Sequence, residues 1–183
     1  MANATFPMLP GAHWWALREK FKQSIPGVVT DSYLAAALNM EAKSARANVL
    51  PYLRDIGLIA DDNKTQELAK TWRDDSQYAA VCKKIREKVY PDELRAAAND
   101  PLKDRSVIER WFANHTGAGE SAIRRMTQFY VILLEANVEK KPKNKTAKAD
   151  DSKKKSIEKP SKEVKKKVVP QQLSPKSTGD NST

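Results

Sequence analysis

The 183-residue sequence has one cysteine, two histidines and six glycines, and each shortage excludes something. The lone Cys82 rules out an intramolecular disulfide framework and suits a reducing compartment. His13 and His115 fall near the ends of different predicted helices, where packing or capping is the expected role. The acidic pairs Asp61–Asp62, Asp74–Asp75 and Asp150–Asp151 have no His or Cys at ligand spacing, so no metal site is expected. "GAG" at 117–119 is not followed by the Gly-Lys-Ser/Thr of a phosphate-binding loop, so no nucleotide cofactor is expected there. Lys83 and Lys84 beside Cys82 would favour a thiolate, but its position between Tyr78 and Ile85 predicts a buried structural thiol. No catalytic group emerges, and the expectation is a protein that is not an enzyme and needs no cofactor.

Long apolar runs are also missing. The longest, "FYVILL" at 129–134, is far short of the roughly 20 residues that cross a bilayer. The opening "MANATFPMLP" has neither the basic nor the apolar region of a signal peptide. A cytoplasmic protein, with association to the nucleoid as one possibility, is therefore expected.

The aromatics and arginines divide the chain. Residues 138–183 contain no Trp, Tyr, Phe or Arg, yet carry 14 Lys against 6 acidic residues, a net of +8. Residues 1–137 hold the other 19 Lys and Arg against 17 acids, a net of only +2, together with every aromatic side chain. The pI of about 9.6 thus belongs to the tail. A segment the size of the first 137 residues buries roughly two-thirds of its unfolded surface. The tail has too little apolar area to offset the entropy of ordering. One helical domain over 1–137 and a disordered basic tail over 138–183 are expected. Lys153, Lys154, Lys155, Lys165, Lys166 and Lys167 would hold any polyanion without reading its sequence, in a salt-sensitive way. The plainer alternative is a solubilising extension.

Within the first segment, Trp14, Leu17 and Phe21 mark a first helix that "IPG" at 25–27 stops. Thr30 caps a second, with Val29 and Leu34 at staple spacing and Asn39 as a left-handed stop near Leu38. Ala45, Val49, Leu53 and Ile56 stripe a third over 43–56, closed by Gly57; Pro51 either kinks it or splits it in two. Leu58 and Ile59 suggest a short strand and Asp61–Lys64 a turn, with Thr65 capping a helix through Trp72. This is the order of a winged helix over about 28–73. Helices around Tyr78–Val89, after Pro91, and on both sides of the 116–119 turn form a helical half over about 76–136. The fold class is therefore mainly α, with a winged helix-turn-helix-like N-terminal half.

The stretches "FPMLPGAHWWALREKFKQSIPGVVTDSYLAAAL", "KSARANVLPYLRDIGLI" and "ERWFANHTGAGESAIRRMTQFYVILL" resemble a family of small prokaryotic proteins known as a domain of unknown function. The resemblance covers about 1–136. It implies a helical, winged-helix-like fold and a prokaryotic cell interior, and it implies no activity and no catalytic residue.

On a winged helix the third helix enters the major groove. Ser44 and Asn48 would then reach base edges, Asn being suited to adenine, while Lys43 and Arg46 meet phosphates, flanked by Arg54. Asn63 and Lys64 would contact the backbone from the wing. Against this reading stand Glu41, Asp55, Asp61 and Asp62, whose mixed charge suits a protein partner docked on helix 43–56 or on the Trp15 surface. Arg124 and Arg125 begin the helix after "NHTGAG", which resembles a second helix-turn-helix; the simpler reading is a tight interhelical turn. That last helix, apolar nearly all round after Met126, is either the central core helix or half of a homodimer interface over 120–136.

Overall fold

The computed structural model describes residues 6–140, and the expectations for Lys153–Lys155 and Lys165–Lys167 lie outside the described residues. The first helix, α1, spans Gly11–Gln23 and buries Trp14, Leu17 and Phe21 as their spacing requires. The second, α2, spans Asp31–Leu38. The Thr30 hydroxyl accepts from the Tyr33 amide at 3.1 Å, and Asn39 ends the helix at φ 51°. Val29 and Leu34 are both fully buried, so the hydrophobic staple is closed.

The third predicted helix is two helices, α3 at Ala42–Asn48 and α4 at Leu50–Asp55. They part at Val49, whose φ of −121° leaves the helical region. The break precedes Pro51, which then lies in the first turn of α4, where a missing N–H costs nothing. Two backbone bonds still cross it, from Val49 to Ala45 and from Leu53 to Val49. Ala45, Val49, Leu53 and Ile56 therefore remain one buried stripe. Gly57, at φ 82°, ends α4 in a Schellman turn: the Leu58 amide reaches the Leu53 carbonyl and the Gly57 amide the Arg54 carbonyl.

Beyond Gly57 the expected hairpin is reduced to isolated antiparallel bridges. Ile59 pairs with Thr65, and Val28, in the link between α1 and α2, pairs with Lys64. Asn63 turns the chain at φ 64°, and its carbonyl accepts from the Val29 amide at 2.9 Å. Thr65 does not cap the next helix, because its hydroxyl is spent on the Pro26 carbonyl. Gln66 stands at the N-cap of α5, Glu67–Trp72, instead.

The helices α6 (Tyr78–Val89), α7 (Asp92–Ala97), α8 (Arg105–Thr116) and α9 (Glu120–Glu135) follow, with a 3-10 turn at Val138–Lys140. Gly117, at φ 60°, makes the tight turn between α8 and α9. Helix α9 packs on α1, α6 and α8, which accounts for its apolar character. Its fully exposed residues are polar, and Ile123, Ile132 and Leu134, half-buried, pack against the core. Trp15 offers no docking surface: it is 6% exposed and packs on the Tyr78 ring at 5.4 Å.

Two side chains of α1 join the two halves. Trp14 packs on Trp72 and Phe129 and donates from Nε1 to the Tyr78 hydroxyl at 2.9 Å. Arg18, only 1% exposed, donates from Nε to the Trp72 carbonyl at 2.9 Å and places Nη2 2.8 Å from Asp75 Oδ1. Its guanidinium lies over the Tyr78 ring at 4.4 Å.

Arg18→Met should lower the free energy of unfolding by about 2–4 kcal/mol in urea titration, because it strands a buried carbonyl and removes a charged hydrogen bond. A loss indistinguishable from that of an exposed arginine such as Arg110 would refute this role. Lys22, and then Arg18, hold the Asp75 carboxyl below its ordinary pKa. The group's contribution is thus complete above about pH 4 and declines as pH falls through the lowered value. Asp75→Asn should flatten that part of the acid limb of stability against pH.

Candidate nucleic-acid interface

Helix α3 is set by its two inward residues. With Ala45 and Val49 in the core, the helical phase turns Lys43, Arg46, Ala47 and Asn48 to solvent and leaves Ser44 half-buried. Among the described residues neither Lys43 nor Arg46 forms an ion pair, so both charges are free for a partner. Arg46 also lines a polar cleft of about 430 Å³ with Thr30, Asp31, Leu50, Arg54 and Asn63. The cleft therefore gathers the start of α2, the α3–α4 junction and the turn after Ile59.

Other predicted contacts are already taken up within the chain. Arg54 donates from Nε and Nη2 to Asn63 Oδ1, at 3.1 and 2.7 Å. This fork holds the turn against α4, so Arg54 and Asn63 position the site rather than reach outward from it. Lys64 lies 2.7 Å from Asp62, which holds that carboxyl below its usual range. The tip of the turn is consequently neutralised, and Asp61 beside it is exposed. At the mouth of α2, two first-turn amides are taken: Thr30 accepts from Tyr33, and Asp31 Oδ1 accepts from Ser32. Sequence reasoning did not place Thr30 and Asp31 here. The only hint was that a helix-turn-helix sets the start of its first helix beside the second.

Arg124 and Arg125 stand apart from the cleft. Arg124 pairs with Glu120 one turn back, and Arg125 Nη2 donates to Ser121 Oγ at 3.3 Å. Arg125 lies near enough to Tyr52 of α4 to oppose the upward shift that burial gives that hydroxyl.

A family of unknown function, DUF5343, matches residues 16–141. The chain belongs to that family. No curated protein and no solved structure matches it. The region shared across DUF5343 begins inside α1 and runs through α9, so it contains the whole cleft and the α3 face. Among the described residues of this DUF5343 chain, no group of three His, Cys, Asp or Glu could hold a metal ion. No helix among them is long and apolar enough to cross a membrane. His115 stacks on Trp111 at 4.1 Å, with Nδ1 2.8 Å from the Trp111 carbonyl, while burial lowers the pKa of His13.

Cys82 is buried, and burial pushes its thiol up to about 12. The native protein should therefore resist alkylation by iodoacetamide at neutral pH and react fully once unfolded. Labelling of the folded chain as fast as that of a free thiol would overturn the assignment.

Proposed function

We propose that the chain binds duplex DNA in the cell interior, with residues 28–73 acting as a winged helix. Three features support the reading. Helix, single bridge, helix, broken helix, bridge, turn and bridge follow one another from α1 to Thr65 in winged-helix order, with the Val28 bridge supplying the first short strand. Helix α3 presents an exposed face at the point where such folds enter the major groove. The observation that carries the proposal is the pair of free cations on that face, Lys43 and Arg46, beside the exposed Asn48. In this reading Lys43 and Arg46 meet phosphates, Asn48 and Ser44 address base edges, and the Arg54–Asn63 fork fixes the wing. The Lys-rich tail adds affinity that does not read sequence.

A second reading is favoured by the Asp62–Lys64 pair and the exposed Asp61. With Lys64 neutralised by Asp62, the exposed Asp61 is left uncompensated at the tip, where it is repelled by phosphate and suits a protein partner docked along α3.

Among the described residues every buried core side chain lies before residue 134, so a chain ending at Lys140 keeps all of them. That chain should bind labelled duplex DNA in fluorescence anisotropy. The Lys43→Ala/Arg46→Ala double variant should reduce the slope of log affinity against log salt by about 2, one for each phosphate no longer neutralised. Binding that requires the tail and ignores the double variant would leave the core to a protein partner.

A further inference from the structure

Three cations face one small pocket on the opposite half of the molecule. Lys83, Arg86 and Glu87 of α6, Arg95 of α7 and Asn99 beyond it line a cavity of about 170 Å³. At ~30 Å³ per water this is room for about six waters, or for one tetrahedral anion and the start of what bears it. The Nε atoms of both Arg86 and Arg95 are buried and have no hydrogen-bond partner. Arg86 has no carboxylate partner among the described residues. Arg95 has only Asp92, three residues before it and 89% exposed at the rim. Glu87, the one acid in the lining, is drawn towards Lys83 at 3.9 Å.

The lining therefore holds three positive charges against Glu87 alone, Asp92 pairing with Arg95 from outside it, and Arg86 is left without a carboxylate. Like charges brought together with little solvent repel strongly, and buried guanidinium donors left unmade are costly. The buried Tyr130 hydroxyl, which donates to the Ala98 carbonyl at 3.5 Å, lies within electrostatic reach of both arginines. What would relieve all three cations at once is a compact dianion with several acceptor oxygens.

We propose that this pocket binds the phosphate group of a small phosphorylated molecule, as a phosphate monoester dianion. Arg86 and Arg95 grip its oxygens, Lys83 closes the rim, and Asn99 borders the entry. The backbone of DNA is the poorer occupant, because its phosphates carry single charges on a convex surface and the pocket is small and concave. The proposal does not depend on the DNA-binding reading, since none of these residues belongs to the α3 face or the cleft beside it.

The test is NMR of the arginine Nε–H groups in the full-length chain, titrated at constant ionic strength. The three titrants are inorganic phosphate, glycerol phosphate and a short DNA duplex. The expected result is a saturable shift of the Arg86 and Arg95 signals with the two phosphates, absent with matched chloride. Arg95→Gln should weaken the response of Arg86 about tenfold, the loss of one charged hydrogen bond. Lys83→Gln, at a side chain 71% exposed and so neutral to folding, should weaken it several-fold. Signals that ignore both phosphates, that follow chloride equally, or that respond to the duplex alone would overturn the proposal. So would unchanged phosphate affinity in Lys83→Gln, which decides the matter should Arg95→Gln fail to fold.

Discussion

A guanidinium at 1% exposure is stable only where fixed partners replace the water it has lost, and Arg18 draws its partners from three places. The Trp72 carbonyl ends α5, the Asp75 carboxylate belongs to the loop that follows, and the Tyr78 ring opens α6. Satisfying one charge on α1 thus sets where α5 stops and where α6 begins. Trp14, one turn earlier, does the apolar counterpart by packing on Trp72 and Phe129 while bonding Tyr78. The half that carries α3 and the half that carries α9 are registered against each other through these two side chains. The pair is polar enough to demand one geometry and buried enough to keep it.

Most helices are legible in the sequence because their signals are local. Thr30, Asp31 and Asn39 bracket α2 through contacts within a few residues, and Ala45, Val49, Leu53 and Ile56 keep their stripe across a broken helix. What escapes is longer in range. Val28 pairs with Lys64 only because α1 delivers it beside the turn, and nothing in its own neighbourhood marks a strand. Thr65 has the chemistry of a cap, but its hydroxyl meets Pro26, a residue 39 positions away. Trp15, set off the helix's inward stripe by its neighbour, is open in sequence to packing under another helix or to anchoring a partner; the Tyr78 ring decides for packing.

The same division holds for the candidate site. Helical phase alone places Lys43, Arg46 and Asn48, since two buried neighbours fix which way they face. It does not do so for Arg54, Asn63 and Lys64. Their charges and amides are consumed by one another and by Asp62, and sequence spacing does not distinguish a side chain offered to a ligand from one held by a neighbour. Arg86 and Arg95 cannot be joined from sequence, because they come from different helices and meet only in the lining of one cavity.

The break at Val49 has a consequence for how such a protein changes over generations. Helix α3 is seven residues long and contributes a single fully buried side chain, Ala45, while the anchoring weight sits in α4 and the Schellman turn behind it. Its outward positions can therefore be rewritten with little effect on the rest of the domain. The character of that outward surface and the stability of the domain are thus set by different side chains.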